Sequence, residues 1–86
     1  MPRFIAIHPM TFTGEQLAGL AEQGRQAGIP EGVAWHGAWC GESVAYCDWT
    51  APDAGTVEGM LTQMNVPFTA VQEVRQFDPQ AGRFAD

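Results

Sequence analysis

Short apolar runs alternate with two longer segments of helical periodicity along this chain. Residues 3–8 are rich in Phe and Ile and predict a first β-strand. Residues 33–40 and 43–50 are two further β-rich runs separated by Gly41-Glu42, which together predict a β-hairpin. Residues 70–77 predict a last strand.

The first helical segment opens with the spacing of a capping box. We expect the Thr13 hydroxyl to accept a hydrogen bond from the Gln16 amide while the Gln16 side chain reaches back to the Thr13 backbone. Gly28 supplies a stop signal. The apolar face of this helix repeats at the i, i+3, i+4, i+7 positions and comprises Leu17, Leu20, Ala21 and Gly24.

The second helical segment follows Pro52, with Asp53 as its expected N-cap. Asn65 can end the helix in the left-handed conformation. The apolar stripe between these two positions consists of Val57, Met60, Leu61 and Met64.

The predicted order, β-α-β-β-α-β, is that of a ferredoxin-like split-βαβ domain. It predicts an α+β fold, a four-stranded antiparallel sheet with two helices on one face. We expect residues 1–86 to form one domain with a core at about 3–78 and a frayed tail at 79–86. The other sheet face is rich in Trp, Phe and Val, and an exposed apolar face marks an interface or a ligand site. We therefore predict a homodimer.

Charge and cysteine content narrow the class of protein. Ten Asp and Glu residues stand against four Arg and no Lys, a net charge of −6, which argues against partners such as nucleic acid or an anionic membrane surface. The apolar run at the start is far too short for a signal peptide or a membrane span. Two cysteines cannot build a disulfide scaffold. We expect a soluble, cytoplasmic protein with reduced thiols.

The predicted hairpin suggests a site. If it turns on Gly41-Glu42, His36 lies opposite Cys47, and directly opposed residues have Cβ atoms about 4.5–5.5 Å apart. His8 ends the first strand, next to the third, and could complete a three-ligand set. Imidazole and thiolate donors suit a transition-metal ion such as Ni, Cu or Zn. The candidate metal ligands are therefore His8, His36 and Cys47, while catalytic residues remain unknown.

Plainer interpretations stand beside this one. A strand cysteine is usually a small buried hydrophobe, and a neighbouring histidine a hydrogen-bonded polar residue. Met60 and Met64 form an i, i+4 pair that could in principle bind copper, although their place on the apolar stripe favours core packing. Asp48 and Glu73 could act as acid and base, but single carboxylates on strands are more often solvated or paired with Arg75.

Several short motifs, in their order and spacing over most of the chain, resemble a small bacterial family that includes a nickel-binding member. The resemblance implies a ferredoxin-like fold, a homodimer of the dimeric α/β-barrel type and transition-metal binding. His8, His36 and Cys47 match positions where that family carries His or Cys. The motifs are Phe4 and His8, Gly32-Val33, His36-Gly37-Ala38-Trp39, residues 44–47, Ala51-Pro52, Asn65-Val66-Pro67 and residues 71–74.

The chain departs from the nickel-binding relative in its second helix, where that relative has an additional histidine and this chain has Met60, Leu61 and Met64. The resemblance therefore does not specify the metal.

Three functions are compatible with these observations, and the plainest is an interaction module whose sheet serves only as a dimerisation surface. The other two assign chemistry to the chain. The first, which we favour, is a non-enzymatic metal-binding protein, a sensor, store or carrier. The alternative is a dimeric-barrel enzyme, an isomerase or cofactor-free oxygenase, that binds a small hydrophobic ligand and uses His36 or His8 for proton transfer in the dimer cavity.

Overall fold

A computed structural model describes residues 2–85. It is an α+β fold in which a four-stranded antiparallel sheet packs against two helices, and a small two-stranded sheet follows. The elements are β1 (Arg3–His8), α1 (Gly14–Ala27), β2 (Ala34–Cys40), β3 (Ala45–Thr50), α2 (Ala54–Gln63), β4 (Ala70–Val74), β5 (Phe77–Asp78) and β6 (Arg83–Phe84).

The main sheet has the strand order β2-β3-β1-β4, with every neighbouring pair antiparallel. β1 and β3 are therefore the central strands, and β2 and β4 are the edges. This arrangement is compatible with the predicted ferredoxin-like fold. No helix in residues 2–85 is long and apolar enough to cross a membrane.

The core lies between one face of the sheet and the helices. Alternation along each strand sends every second side chain to this face. Phe4 and Ala6 of β1 meet Trp49 of β3, and they pack against Val57 and Leu61 of α2. Leu20 of α1 packs against the same cluster, so both helices contribute to one core. We call this the inner face of the sheet, and the other the open face.

The predicted helix boundaries are confirmed. The capping box of α1 is present, with Gln16 N donating to Thr13 Oγ1 at 3.1 Å and Thr13 N donating to Gln16 Oε1 at 2.9 Å. Gly28 ends α1 with φ of 83°. Asp53 caps α2, where its carboxylate accepts from the Thr56 amide at 2.8 Å. Asn65 takes the left-handed conformation, with φ of 59°, just after α2.

The predicted register of the β2–β3 hairpin is wrong. A four-residue loop, closed by Gly41 N donating to Val44 O at 2.8 Å, places Cys40 opposite Ala45. Cys47 therefore lies opposite Ala38 rather than His36. The register shifts again between Trp35 and Gly37, which makes His36 the extra residue of a β-bulge.

The chain after β4 also differs from the expectation of a frayed tail. β4 ends at Val74, and residues 77–84 form a hairpin instead. Phe77 and Phe84 face each other with ring centroids 5.5 Å apart, edge to face. Asp78 shapes the loop, because its carboxylate accepts from the Gln80 amide at 2.9 Å. The Arg75 guanidinium lies 4.0 Å above the Phe84 ring.

The capping box gives a stability prediction. Thr13→Ala removes the acceptor for the Gln16 amide, and we expect the free energy of unfolding to fall by about 1 kcal/mol. Urea denaturation followed by tryptophan fluorescence measures the change. Thr13→Ser keeps a hydroxyl in place and should retain most of the stability; equal losses for both variants would contradict the role of the cap.

Candidate functional site

His8 is the polar side chain most completely enclosed in the described part of the chain, with none of its surface exposed. It is the last residue of β1 and shares the inner face with Phe4 and Ala6, because side chains alternate along the strand. Its ring meets that of Phe12 edge to face, with centroids 5.3 Å apart. The sequence did not specify this orientation.

The loop after α2 fixes the His8 ring. Thr69 N donates to Ile7 O at 2.8 Å and so brings residues 67–69 alongside the end of β1. The Pro67 carbonyl oxygen then lies 2.7 Å from His8 Nδ1. A carbonyl can only accept a hydrogen bond, so Nδ1 carries the proton, and the neutral ring presents Nε2 as a lone pair.

Nε2 has no hydrogen-bond partner among residues 2–85, although it is fully enclosed. The indole Nε1 of Trp49 is in the same situation. His8 Nε2 is an acceptor and Trp49 Nε1 is a donor, and each lacks a hydrogen-bond partner among residues 2–85. A buried polar atom left without a partner costs about 1–3 kcal/mol. Two such atoms in one small core indicate that this interior is suited to a polar or charged group as well as to apolar side chains.

His8 and Trp49 line the same small internal cavity, together with Cys47 and Met64. Its volume is about 20 Å³. Since roughly 10–15 Å³ suffices for one water molecule, the cavity has room for one water molecule or one ion of similar size. The other residues that line it are Phe12, Leu20, Trp35, Leu61 and Val66.

Cys47 comes close to His8 through the pairing of β1 with β3. Ala45 lies opposite His8, and Cys47 lies opposite Ala6, so His8 and Cys47 are diagonal neighbours on the inner face. Diagonal neighbours in an antiparallel pair are about 7–8 Å apart, within reach of a long side chain such as imidazole. One imidazole nitrogen and one thiol therefore share the interior.

The Cys47 thiol is only 4% exposed. Burial, with a smaller electrostatic contribution from Cys40, raises the pKa of Cys47 to about 11. The side chain is therefore a protonated thiol at neutral pH. Cys40 is exposed, and neither cysteine forms a disulfide.

His36 does not join this pair. At the β-bulge its Nε2 lies 2.6 Å from the Thr50 hydroxyl. Because Trp49 points to the inner face and side chains alternate along β3, Thr50 and this contact lie on the open face. The structure thus brings His8 and Cys47 together and leaves His36 on the opposite side of the sheet. Within residues 2–85, no three or more His, Cys, Asp or Glu side chains form a group that could hold a metal ion.

The open face carries a partly buried ion pair between Arg3 and Asp48. The Arg3 guanidinium donates two hydrogen bonds to the Asp48 carboxylate, one from Nε to Oδ1 at 3.1 Å and a second from Nη2 to Oδ2. The sequence signal was an acidic residue inside the apolar run of β3, at Asp48. The arginine that pairs with Asp48 is Arg3 rather than the expected Arg75, because the register of β1 against β3 is a long-range property.

Large side chains surround this ion pair. Trp39 is 59% exposed and Tyr46 is 40% exposed. A cavity of about 510 Å³ lies on the open face. The residues that line it are Arg3, Ile5, Trp39, Asp48, Val74, Arg75 and Gln76.

Comparisons of this chain with models of protein families, with curated proteins and with solved structures found no match. The resemblance to a family with a nickel-binding member therefore stays a prediction.

The two thiols should differ sharply in reactivity. At about pH 8, a pKa of about 11 leaves roughly one Cys47 side chain in a thousand as thiolate, the form that reacts, and burial hinders access further. We expect a thiol reagent such as dithiobis(nitrobenzoate) to label Cys40 fast and Cys47 slowly. The Cys47 rate should increase as pH rises toward 11. Cys40→Ser isolates the slow thiol; fast labelling of that variant at pH 8 would contradict the buried position.

Proposed function

We propose that this protein is a non-enzymatic transition-metal-binding protein, a sensor, store or carrier, that holds Ni, Cu or Zn in its interior through His8 and Cys47. The observation that carries the proposal is the unpartnered Nε2 of a fully buried histidine in a cavity shared with a thiol. His36, the third ligand expected from sequence, is not part of this site.

The environment of His8 resembles that of a metal ligand. Histidines that bind metals almost always donate the other ring N–H to a carboxylate, a backbone carbonyl or water, which fixes the tautomer and directs the lone pair. The contact of 2.7 Å between His8 Nδ1 and the Pro67 carbonyl is of this kind. It supports a ligand role for Nε2.

The size of the cavity supports an ion over an organic ligand. Sites for small organic molecules enclose about 300–1,000 Å³. The interior cavity has about 20 Å³, and so fits a single ion or a single water molecule. Imidazole and thiol donors favour a borderline or soft ion over Mg or Ca.

We further propose that two copies of this ferredoxin-like domain pair through their open faces, as in a dimeric α/β barrel. The strand residues that point to this face include one acid and one base, Asp48 and Arg3, which neutralise each other, whereas the whole chain carries −6. Apart from Arg75, which also lines the cavity on this face, the Arg3–Asp48 pair therefore brings no net charge to the surface where two copies would meet. Two thiols outside any disulfide also fit a reducing, cytoplasmic location.

A second candidate function is a dimeric-barrel isomerase or cofactor-free oxygenase. The open-face cavity of about 510 Å³ favours it, because that volume lies in the range of small-molecule sites. His36 lies on the same face but is not among the residues that line this cavity. Its imidazole would have to leave the Thr50 hydroxyl to reach a ligand there.

The two histidines and two cysteines allow a matched test of the metal proposal. His8→Gln and Cys47→Ala should each abolish stoichiometric binding of Ni, Cu or Zn, because each removes a donor from the interior site. His36→Gln and Cys40→Ser change the same residue types elsewhere and should bind like wild type. Inductively coupled plasma mass spectrometry after anaerobic loading and desalting measures the bound metal.

Circular dichroism must show that each variant is folded, and two independent interior variants guard against one that is not. Metal retained in both His8→Gln and Cys47→Ala would place the site elsewhere. Wild-type protein that takes up no metal would overturn the proposal.

Dimerisation is tested by adding charge to the open face. Tyr46→Glu places two like charges within the paired surface, and we expect the dimer dissociation constant to rise about ten-fold or more. Ile29→Glu makes the same charge change at another exposed apolar side chain, remote from the sheet, and should have no effect. Sedimentation equilibrium measures both. A wild-type chain that remains monomeric at the highest concentration reached would refute the pairing.

A further inference from the structure

We infer that the ion bound in the interior is Cu(I) and that the thioether of Met64 is its third ligand, an inference that rests on the proposed function. Met64 lines the same 20 Å³ cavity as His8 and Cys47. It follows the last turn of α2, at the C-cap. The cavity is therefore lined by one imidazole, one thiol and one thioether, each from a different element or its end.

Charge balance selects a monovalent ion. Binding replaces the Cys47 proton, which leaves to solvent, so Cys47 contributes one negative charge while His8 and Met64 contribute none. Cu(I) then gives a neutral site, whereas Ni(II) or Zn(II) would leave a net positive charge in an apolar interior, at a high cost in free energy.

No acidic side chain is placed to cancel that extra charge. No Asp or Glu lines the interior cavity. Among the described residues, the one buried carboxylate is that of Asp48. It lies on the open face in contact with Arg3. A divalent ion would therefore remain uncompensated.

Ligand type and ligand number lead to the same ion. Thiolate and thioether sulfur are soft donors, which favour Cu(I). Structural zinc takes a closed tetrahedral set of ligands. One nitrogen and two sulfur atoms do not complete such a set, and the cavity has no room for several waters in addition to an ion. Cu(I) is satisfied by few ligands.

Met60 provides a matched control for Met64. Both methionines are partly buried on α2 or at its end and pack against the core. Met60 and Met64 both line an outer groove beside α1, and of the two only Met64 also lines the interior cavity. Replacement by leucine at either position removes a thioether at nearly constant volume, so the two variants differ in whether a ligand is lost.

The test is an anaerobic titration of the reduced protein with Cu(I) in competition with bicinchoninate, a colorimetric Cu(I) chelator. We expect wild type to bind one Cu(I) per chain and Met64→Leu to bind it about ten-fold or more weakly, because a soft ligand is lost. Met60→Leu should match wild type. X-ray absorption of the loaded protein should show one nitrogen and two sulfur neighbours.

The outcomes separate this inference from the proposed function. Equal Cu(I) affinity in Met64→Leu and wild type would overturn the role of Met64. Binding of Ni(II) or Zn(II) that depends on His8 and Cys47, with weaker or no binding of Cu(I), would overturn the choice of ion while the interior metal site stands. Absence of binding for all three ions would overturn both.

Discussion

One extra residue in β2 decides which side chains share the interior of this domain. With the bulge at His36, Trp35 turns inward and stacks on Trp49, with ring centroids 5.8 Å apart, while Trp39 turns outward. A strand without the bulge would keep Trp35 and Trp39 on one face, since a single-residue shift reverses every later side chain. The stacked indoles close one side of the interior cavity. The outward indole gives the open face its aromatic surface.

The interior itself is small, and this gives weight to each polar group in it. Nine apolar residues are buried in the part of the chain that the structure describes, and four of them are small, three alanines and one cysteine. Few large side chains therefore hold the sheet to the helices. A domain of this length has little stability in reserve. An enclosed imidazole with one unpartnered nitrogen lowers the stability of such a core. The proposed ion would bind that nitrogen and so link the two central strands to α2.

Local signals in the sequence were enough for the two helices and their ends. The capping box at Thr13, the cap at Asp53 and the left-handed Asn65 each act within a few residues and were confirmed. Register was not accessible in this way, because it depends on a loop closed between Gly41 and Val44 and on a bulge without a sequence signal. The hairpin of β5 and β6 was missed since two-residue strands are too short to show alternation.

The candidate site was likewise only partly predictable from the sequence. His8 was selected for its place at the end of the first strand beside the third, and Cys47 through the incorrect register that placed it opposite His36; both nevertheless lie in the interior. His36 was selected through the incorrect register and lies on the other side of the sheet. Met64 was assigned to the core by its place on the helical stripe, which is correct for its packing but does not reveal that it reaches the same cavity as the histidine.

The complete burial of His8 also limits how fast a bound ion could exchange. A ligand reaches Nε2 only when the packing around His8 opens locally, so exchange at this position is limited by how often that opening occurs and not by diffusion. An occupant held behind such a barrier leaves slowly even if its affinity is moderate. Among the roles considered for a metal-binding protein, slow exchange suits long retention better than rapid transfer from one partner to the next.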